Sequence, residues 1–147
     1  MFLLALLIIV LDQVIKYYIS SNMFVGQSIP IVPQIFHLTY ILNPGAAFGI
    51  LENQQWLFIL IAIALIVVVF YFYKRIKCLA KSFQVGIALL FGGAIGNMID
   101  RIFIGKVVDY MDFRIWPVFN LADVAIVLGC VIVAFYLLFC TERGDKA

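Results

Sequence analysis

Apolar residues arrive in long blocks along this chain, and the polar ones gather at the ends of those blocks. Residues 2–19 are apolar apart from Asp12, Gln13 and Lys16. Residues 56–73 carry no charge, Gly or Pro, and 124–139 carry no charge. The block at 83–104 is less uniform, because Gly86, Gly92, Gly93, Gly96, Asn97, Asp100 and Arg101 interrupt it, with the polar part concentrated at one end. A helix crosses the hydrocarbon core with about 20 predominantly apolar residues, so the pattern predicts spans at about 2–19, 56–73, 83–104 and 123–140. The first block lacks the basic leader and small-residue cleavage site of a secretory signal peptide and reads as a retained span. Residues 20–55 are too long for a simple hairpin. Ser28-Ile29-Pro30-Ile31-Val32-Pro33 is punctuated like an edge strand or turn, residues 35–42 are β-prone and aromatic, and Asn43-Pro44-Gly45 forms a turn. The short apolar stretch 46–51 suits an interfacial helix rather than a fifth crossing.

Composition agrees with the pattern. Of 147 residues, 66% are apolar and 12% charged, against about 45–50% and about 25% in ordinary soluble domains. A chain of this size leaves roughly a third of its unfolded surface exposed after folding, so the apolar excess must face lipid. Low charge excludes disorder, and a net charge of +2 without a basic cluster on an ordered surface argues against nucleic acid as a partner. The basic residues do set orientation. Lys74, Arg75, Lys77 and Lys81 crowd the segment between the second and third spans, and no Lys or Arg lies between Tyr17 and Tyr73. That segment is expected inside, with both termini, and residues 20–55 and 105–120 outside. The fold expected is an all-α membrane protein: one domain over residues 1–147, a four-transmembrane-helix bundle with a small extracytoplasmic β-sheet and a short interfacial helix.

Given that topology, the polar residues within and beside the spans share one depth. Asp12 and Lys16 lie toward the outer end of the first span, Asn97, Asp100 and Arg101 at the outer end of the third, and Asn120 and Asp123 at the outer start of the fourth. Asp109 falls in the loop between the last two. An ionisable residue inside a span is costly and therefore informative. Asp12 and Lys16, four apart, can pair along a helix, and Gly93, Asn97, Asp100 and Arg101 fall along one stripe. Gly92 and Gly96 form a small-xxx-small pair that admits a neighbouring helix. Asn120 with Asp123 has N-cap and first-turn chemistry.

Absences narrow the chemistry. The one histidine, His37, has no Cys or second His at ligand spacing, which excludes the usual zinc site and leaves no metal expected. Cys130 and Cys140 stand about 15 Å apart along one helix and cannot bridge. The serines lie away from the acids, and no Gly-x-Ser-x-Gly occurs. Carboxylates remain. Two placed close together cannot both ionise easily, so one keeps a proton while the other acts as a base, a pairing suited to activating water against a peptide carbonyl. Spacing does not decide whether Asp123 pairs with Asp100 or with Asp109. A proton-coupled transporter is the competing class, but its coupling acid belongs near the midplane, and these acids share the outer rim.

Five blocks, in order, carry a family resemblance: Asp12-Gln13-Val14-Ile15-Lys16, Asn43-Pro44-Gly45-Ala46-Ala47-Phe48-Gly49, the glycine-rich stretch from Gly92 to Arg101, Val107-Val108-Asp109-Tyr110, and Phe119-Asn120-Leu121-Ala122-Asp123. Together they resemble the bacterial lipoprotein signal peptidases (signal peptidase II), over essentially the whole chain. The resemblance implies an aspartyl endopeptidase of the bacterial inner membrane. Its substrates are diacylglyceryl-modified prolipoproteins, cut before the lipidated Cys in the outer leaflet. It implies Asp109 and Asp123 as the catalytic pair, Asn43, Asn97, Arg101 and Asn120 as substrate-binding or positioning groups, and Asp12, Lys16, Gly45 and Asp100 as support. Tyr110 stands where Phe is more usual. No cofactor is implied, the partners are the prolipoprotein and membrane lipid, and a monomer is expected.

Overall fold

Long apolar blocks that must satisfy their own backbone away from water do so by coiling. The computed structural model, which describes residues 1–45 and 51–140, is accordingly mostly helical with one small sheet. In chain order the elements are α1 (Phe2–Asn22), β1 (Ser28–Val32), β2 (Phe36–Asn43), α2 (Gln55–Tyr71), α3 (Tyr73–Cys78), α4 (Lys81–Phe103), β3 (Val107–Asp112) and α5 (Leu121–Phe139). Among the described residues α1, α4 and α5 are long and apolar enough to cross a membrane. α2, equally apolar, has 17 residues, about 26 Å of helix. It closes at Phe72, and Lys74, Arg75 and Lys77 ride on the separate helix α3, anchored by buried Ile76. The interfacial helix expected over 46–51 lies outside the described residues except for Leu51, which sits in a turn with φ of 56°.

α4 is the hub, with α1, α2 and α5 packed against it. Glycine makes the approach possible. A Cβ on Gly92 would come within 2.9 Å of the Ala5 carbonyl oxygen, and one on Gly93 would strike the carbonyl of Ala122. The small-xxx-small pair therefore works as expected, since Gly96, one turn on, faces Asp12. At the end of the bundle away from the sheet, the rings of Phe2, Phe70 and Phe91 meet at 5.5 to 6.1 Å around buried Ala5, Val69 and Ala88. Leu6, Leu60, Val67, Val127 and Phe135 point outward and exposed, a surface suited to hydrocarbon.

The three strands pair antiparallel in the order β1-β2-β3. β1 is the exposed edge, where Pro30 removes no ladder bond that the sheet needs. β3 is buried along nearly its whole length. Ile19 of α1 packs under the sheet with Tyr40, Val108 and Tyr110. β3 corrects the reading of Asp109 as a loop residue. The β-branched and aromatic run Val107-Val108-Asp109-Tyr110 carried the strand signal, masked by its shortness and the charge at its centre. Register then fixes the face: Asp109 lies opposite Ile41, which places it on the same side of the sheet as Asn43, two residues along β2.

Candidate active site

The charged and amide side chains of Asp12, Gln13, Lys16, Asn97, Asp100, Arg101 and Asp123 converge where the sheet meets the bundle. Asp12 and Lys16 are one helical turn apart on the buried face of α1 and point at α4. Lys16 Nζ lies 2.9 Å from Asp12 Oδ2 and 2.9 Å from Asp100 Oδ2, and donates to Asn97 Oδ1 at 2.9 Å. Gln13, which the sequence reading passed over, donates to Asp100 Oδ1 at 2.9 Å and to the Gly96 carbonyl at 3.1 Å. Its position beside Asp12 was the only available signal. Asp100 in turn accepts from Val108 N–H at 3.0 Å, which ties β3 to α4. Charges taken this far out of water persist only when paired and hydrogen-bonded, and Asp12, Lys16 and Asp100 are.

The first turn of α5 is closed as completely. Asn120 forms a capping box with Asp123, accepting from Asp123 N–H at 2.9 Å while its own N–H donates to Asp123 Oδ2 at 3.2 Å. Ala122 N–H donates to Asp12 Oδ1 at 3.0 Å, and Leu121 N–H to the Tyr110 hydroxyl at 3.2 Å. These orphan N–H groups of the helix start thus have protein partners. The Tyr110 contact gives that residue a use that Phe could not supply, and burial pushes its phenol well above the usual range.

Three asparagines face the two remaining carboxylates, and each has its amide orientation locked from behind. Asn43 Oδ1 accepts from Gly45 N–H, Asn97 Oδ1 from Lys16, and Asn120 Oδ1 from Asp123 N–H. Each NH₂ is therefore turned forward. Asn43 donates to Asp109 Oδ2 at 2.9 Å, Asn120 to Asp109 Oδ1 at 2.7 Å, and Asn97 to Asp123 Oδ1 at 2.8 Å. Asn120 Nδ2 also reaches Asn97 Oδ1 at 3.0 Å, which closes the network. Burial, and then the negative charge of Asp123, push the Asp109 carboxyl up to about 7, against the pull of the Asn43 and Asn120 hydrogen bonds.

Asp109 and Asp123 open onto a cavity of about 480 Å³ in the groove that α2 and α5 form over α4. Asn43, Asn97, Arg101, Phe58, Leu65, Trp116 and Val127 also line it. Arg101 stands at its wall with the guanidinium 4.4 Å over the Phe58 ring, donating to the carbonyls of Gly45 at 3.2 Å and Asn97 at 3.3 Å. Asp100 and Arg101, adjacent in sequence, part company: Arg101 lines the cavity, whereas Asp100 turns back to Lys16. Of the two candidates that spacing left open, Asp109 lines the same cavity as Asp123 and Asp100 does not. Phe58 and Trp116 were missed, because an aromatic in an apolar run carries no local mark of a cavity. His37 lies on β2 and meets Ser28 Oγ at 3.1 Å, away from these groups. Cys78, Cys130 and Cys140 are free and exposed. Among the described residues no cluster of His, Cys, Asp or Glu is placed to hold a metal ion.

Comparison with known proteins gives the same answer from sequence, family model and fold. The chain is 46% identical over 145 residues to a lipoprotein signal peptidase of Halothermothrix orenii, covering 98% of this chain and 99% of that one. It is 46% identical to the one from Clostridioides difficile, covering 97% of each. Two solved structures, each described as a bacterial membrane enzyme obtained by the in meso method, superpose with TM-scores of 0.87 and 0.83 at 34% and 37% identity. The first covers 99% of this chain and 90% of its own, and the second 93% and 91%. The family model for Signal peptidase (SPase) II matches residues 4–139, and the chain belongs to that family, the aspartic-type peptidases that process lipoproteins.

Proposed function

We propose that Asp109 and Asp123 are the catalytic dyad with which this peptidase removes signal peptides from diacylglyceryl-modified prolipoproteins, cutting before the modified Cys. The observation that carries the assignment is Asn120, which holds both carboxylates at once at the wall of a cavity that is largely apolar apart from Asn43, Asn97 and Arg101. The ionised member of the pair takes a proton from water as the oxygen attacks the scissile carbonyl carbon. The protonated member donates to the carbonyl oxygen as the tetrahedral diol forms. Collapse of the diol breaks the C–N bond, the proton taken from water passes to the leaving nitrogen, and the second proton returns to the dyad. Asn43, Asn97 and Asn120 aim the carboxylates. Arg101, already spent on two backbone carbonyls and the Phe58 face, forms a cationic wall beside the substrate main chain. Gly45 shapes the rim, and Asp12, Lys16 and Asp100 brace the floor.

The membrane supplies the ruler. We read α2, at about 26 Å, as a fourth crossing, with α3 and its basic side chains cytoplasmic, both termini inside, and the sheet and dyad at the extracytoplasmic face. The groove between α2 and α5 suits a signal helix entering laterally. The substrate's acyl chains, each CH₂ contributing about 0.8 kcal/mol in the bilayer, hold the scissile bond at the height of the dyad. Residues 1–147 act as one domain and as a monomer. The test is incubation of the purified protein with diacylglyceryl precursor beside its Asp109→Asn and Asp123→Asn forms. Both substitutions abolish processing, and a folded Asp123→Asn protein working at the normal rate refutes the assignment. Maleimide labelling of Cys78 from the cytoplasmic side alone supports the orientation, and labelling from outside overturns it.

A further inference from the structure

The Lys16 ammonium has three protons and three acceptors, Asp12 Oδ2, Asp100 Oδ2 and Asn97 Oδ1, each at 2.9 Å. Two of these contacts satisfy buried charge. The third leads toward the reacting groups. An ammonium donates and cannot accept, so Asn97 must present its oxygen to Lys16 and its NH₂ to Asp123. With the amide reversed, Asn97 Nδ2 would face both Lys16 Nζ and Asn120 Nδ2, and Asn97 Oδ1 would face a carboxylate oxygen. We propose that Lys16, which touches neither Asp109 nor Asp123, is a positioning residue: by locking the Asn97 amide it keeps Asn97 Nδ2 on Asp123 Oδ1 and so holds that carboxylate in the orientation it has at the cavity wall.

The inference rests on the dyad reading above, and the surroundings of the two acids support it. Asp123 sits in the first turn of α5, where the helix dipole favours negative charge, and its two oxygens accept from Asn97 Nδ2 and Asn120 N–H. Asp109 is on a strand, 2% exposed, and takes its amide donors from Asn43 and Asn120 rather than from Asn97. The hydrogen-bonded link from Lys16 thus runs through Asn97 to Asp123.

Lys16→Met alone would leave Asp12 and Asp100 facing each other unpaired. The test therefore uses Asp12→Asn/Lys16→Met, which removes one charge of each sign and keeps an acceptor for Ala122 N–H. Beside it stands Asn97→Ala, which cuts the same link from the other end. Processing of a synthetic diacylglyceryl-cysteine precursor is followed at limiting and at saturating concentration. In both proteins kcat falls about 10- to 100-fold, the loss carried by a missing charge-assisted hydrogen bond, while KM stays within about threefold. A kcat that stays at the wild-type level in either folded variant, or a loss carried by KM instead of kcat, reduces Lys16 to a brace and overturns the proposal. Asp123→Asn processing at the normal rate overturns the dyad itself, a separate outcome.

Discussion

Asp109→Asn is expected to change thermal stability with opposite sign at low and high pH. The wild-type carboxyl is buried and pushed up to about 7, against 3.8 for the ordinary group. Because the folded value is raised, the stability Asp109 contributes is fully present below about pH 3.8 and is lost as pH climbs through 7. At 1.36 kcal/mol per pH unit the difference amounts to about 4 kcal/mol between pH 4 and pH 8. Asparagine does not titrate and escapes that loss. It has a cost of its own, because Asn43 Nδ2 and Asn120 Nδ2 approach the two Asp109 oxygens at 2.9 and 2.7 Å, and an amide can accept at only one of those positions. One buried donor left facing another costs about 1–3 kcal/mol at any pH. The variant should therefore melt below wild type at pH 4 and above it at pH 8. The double difference of about 4 kcal/mol corresponds to roughly 10 °C in a chain of this length. Paired thermal melts in detergent across that range measure it, and the constant amide penalty cancels in the double difference. A melting-temperature gap that stays the same from pH 4 to pH 8 would refute the argument that burial and the charge on Asp123 keep Asp109 protonated.

Asn120→Ala removes a helix cap and the donor to Asp109, so it should lose about 2–4 kcal/mol of stability together with activity. Asn120→Ser restores the cap alone, and should recover about 1 kcal/mol in melts without recovering processing. Gly93→Ala drives a methyl into the Ala122 carbonyl. It should destabilise by about 1–3 kcal/mol and slow processing by displacing the turn that carries Asp123; a wild-type melting temperature would show that α4 and α5 are not in the close contact described. Arg101→Lys gives up the planar stacking over Phe58 and one of the two carbonyl bonds. KM for the lipidated precursor should rise about tenfold while the melting temperature stays close to wild type.

How far an interaction reaches along the chain decides whether the sequence could disclose it. The apolar blocks are self-contained, and the helices follow them to within a few residues: α1 runs to Asn22 rather than 19, and α4 begins at Lys81 rather than 83. The capping box of Asn120 and Asp123 is equally local, because both ends of each hydrogen bond lie within one turn. The Asp12–Lys16 pair could be anticipated for the same reason. Asp109 could not be placed so well, since its strand exists through pairing with β2, some 66 positions away at the Asn43–Asp109 contact. Nor could the parting of Asp100 from Arg101, which depends on where α1 and α2 stand around α4. Least legible were the amide orientations. Each asparagine has a symmetrical-looking head, and only the third group behind it, a lysine, a glycine N–H or a helix cap, decides which end faces the acids. A motif can therefore name the asparagines and the aspartates together, as this chain's blocks did, without revealing that a lysine 81 positions from Asn97 sets which way one of those asparagines points.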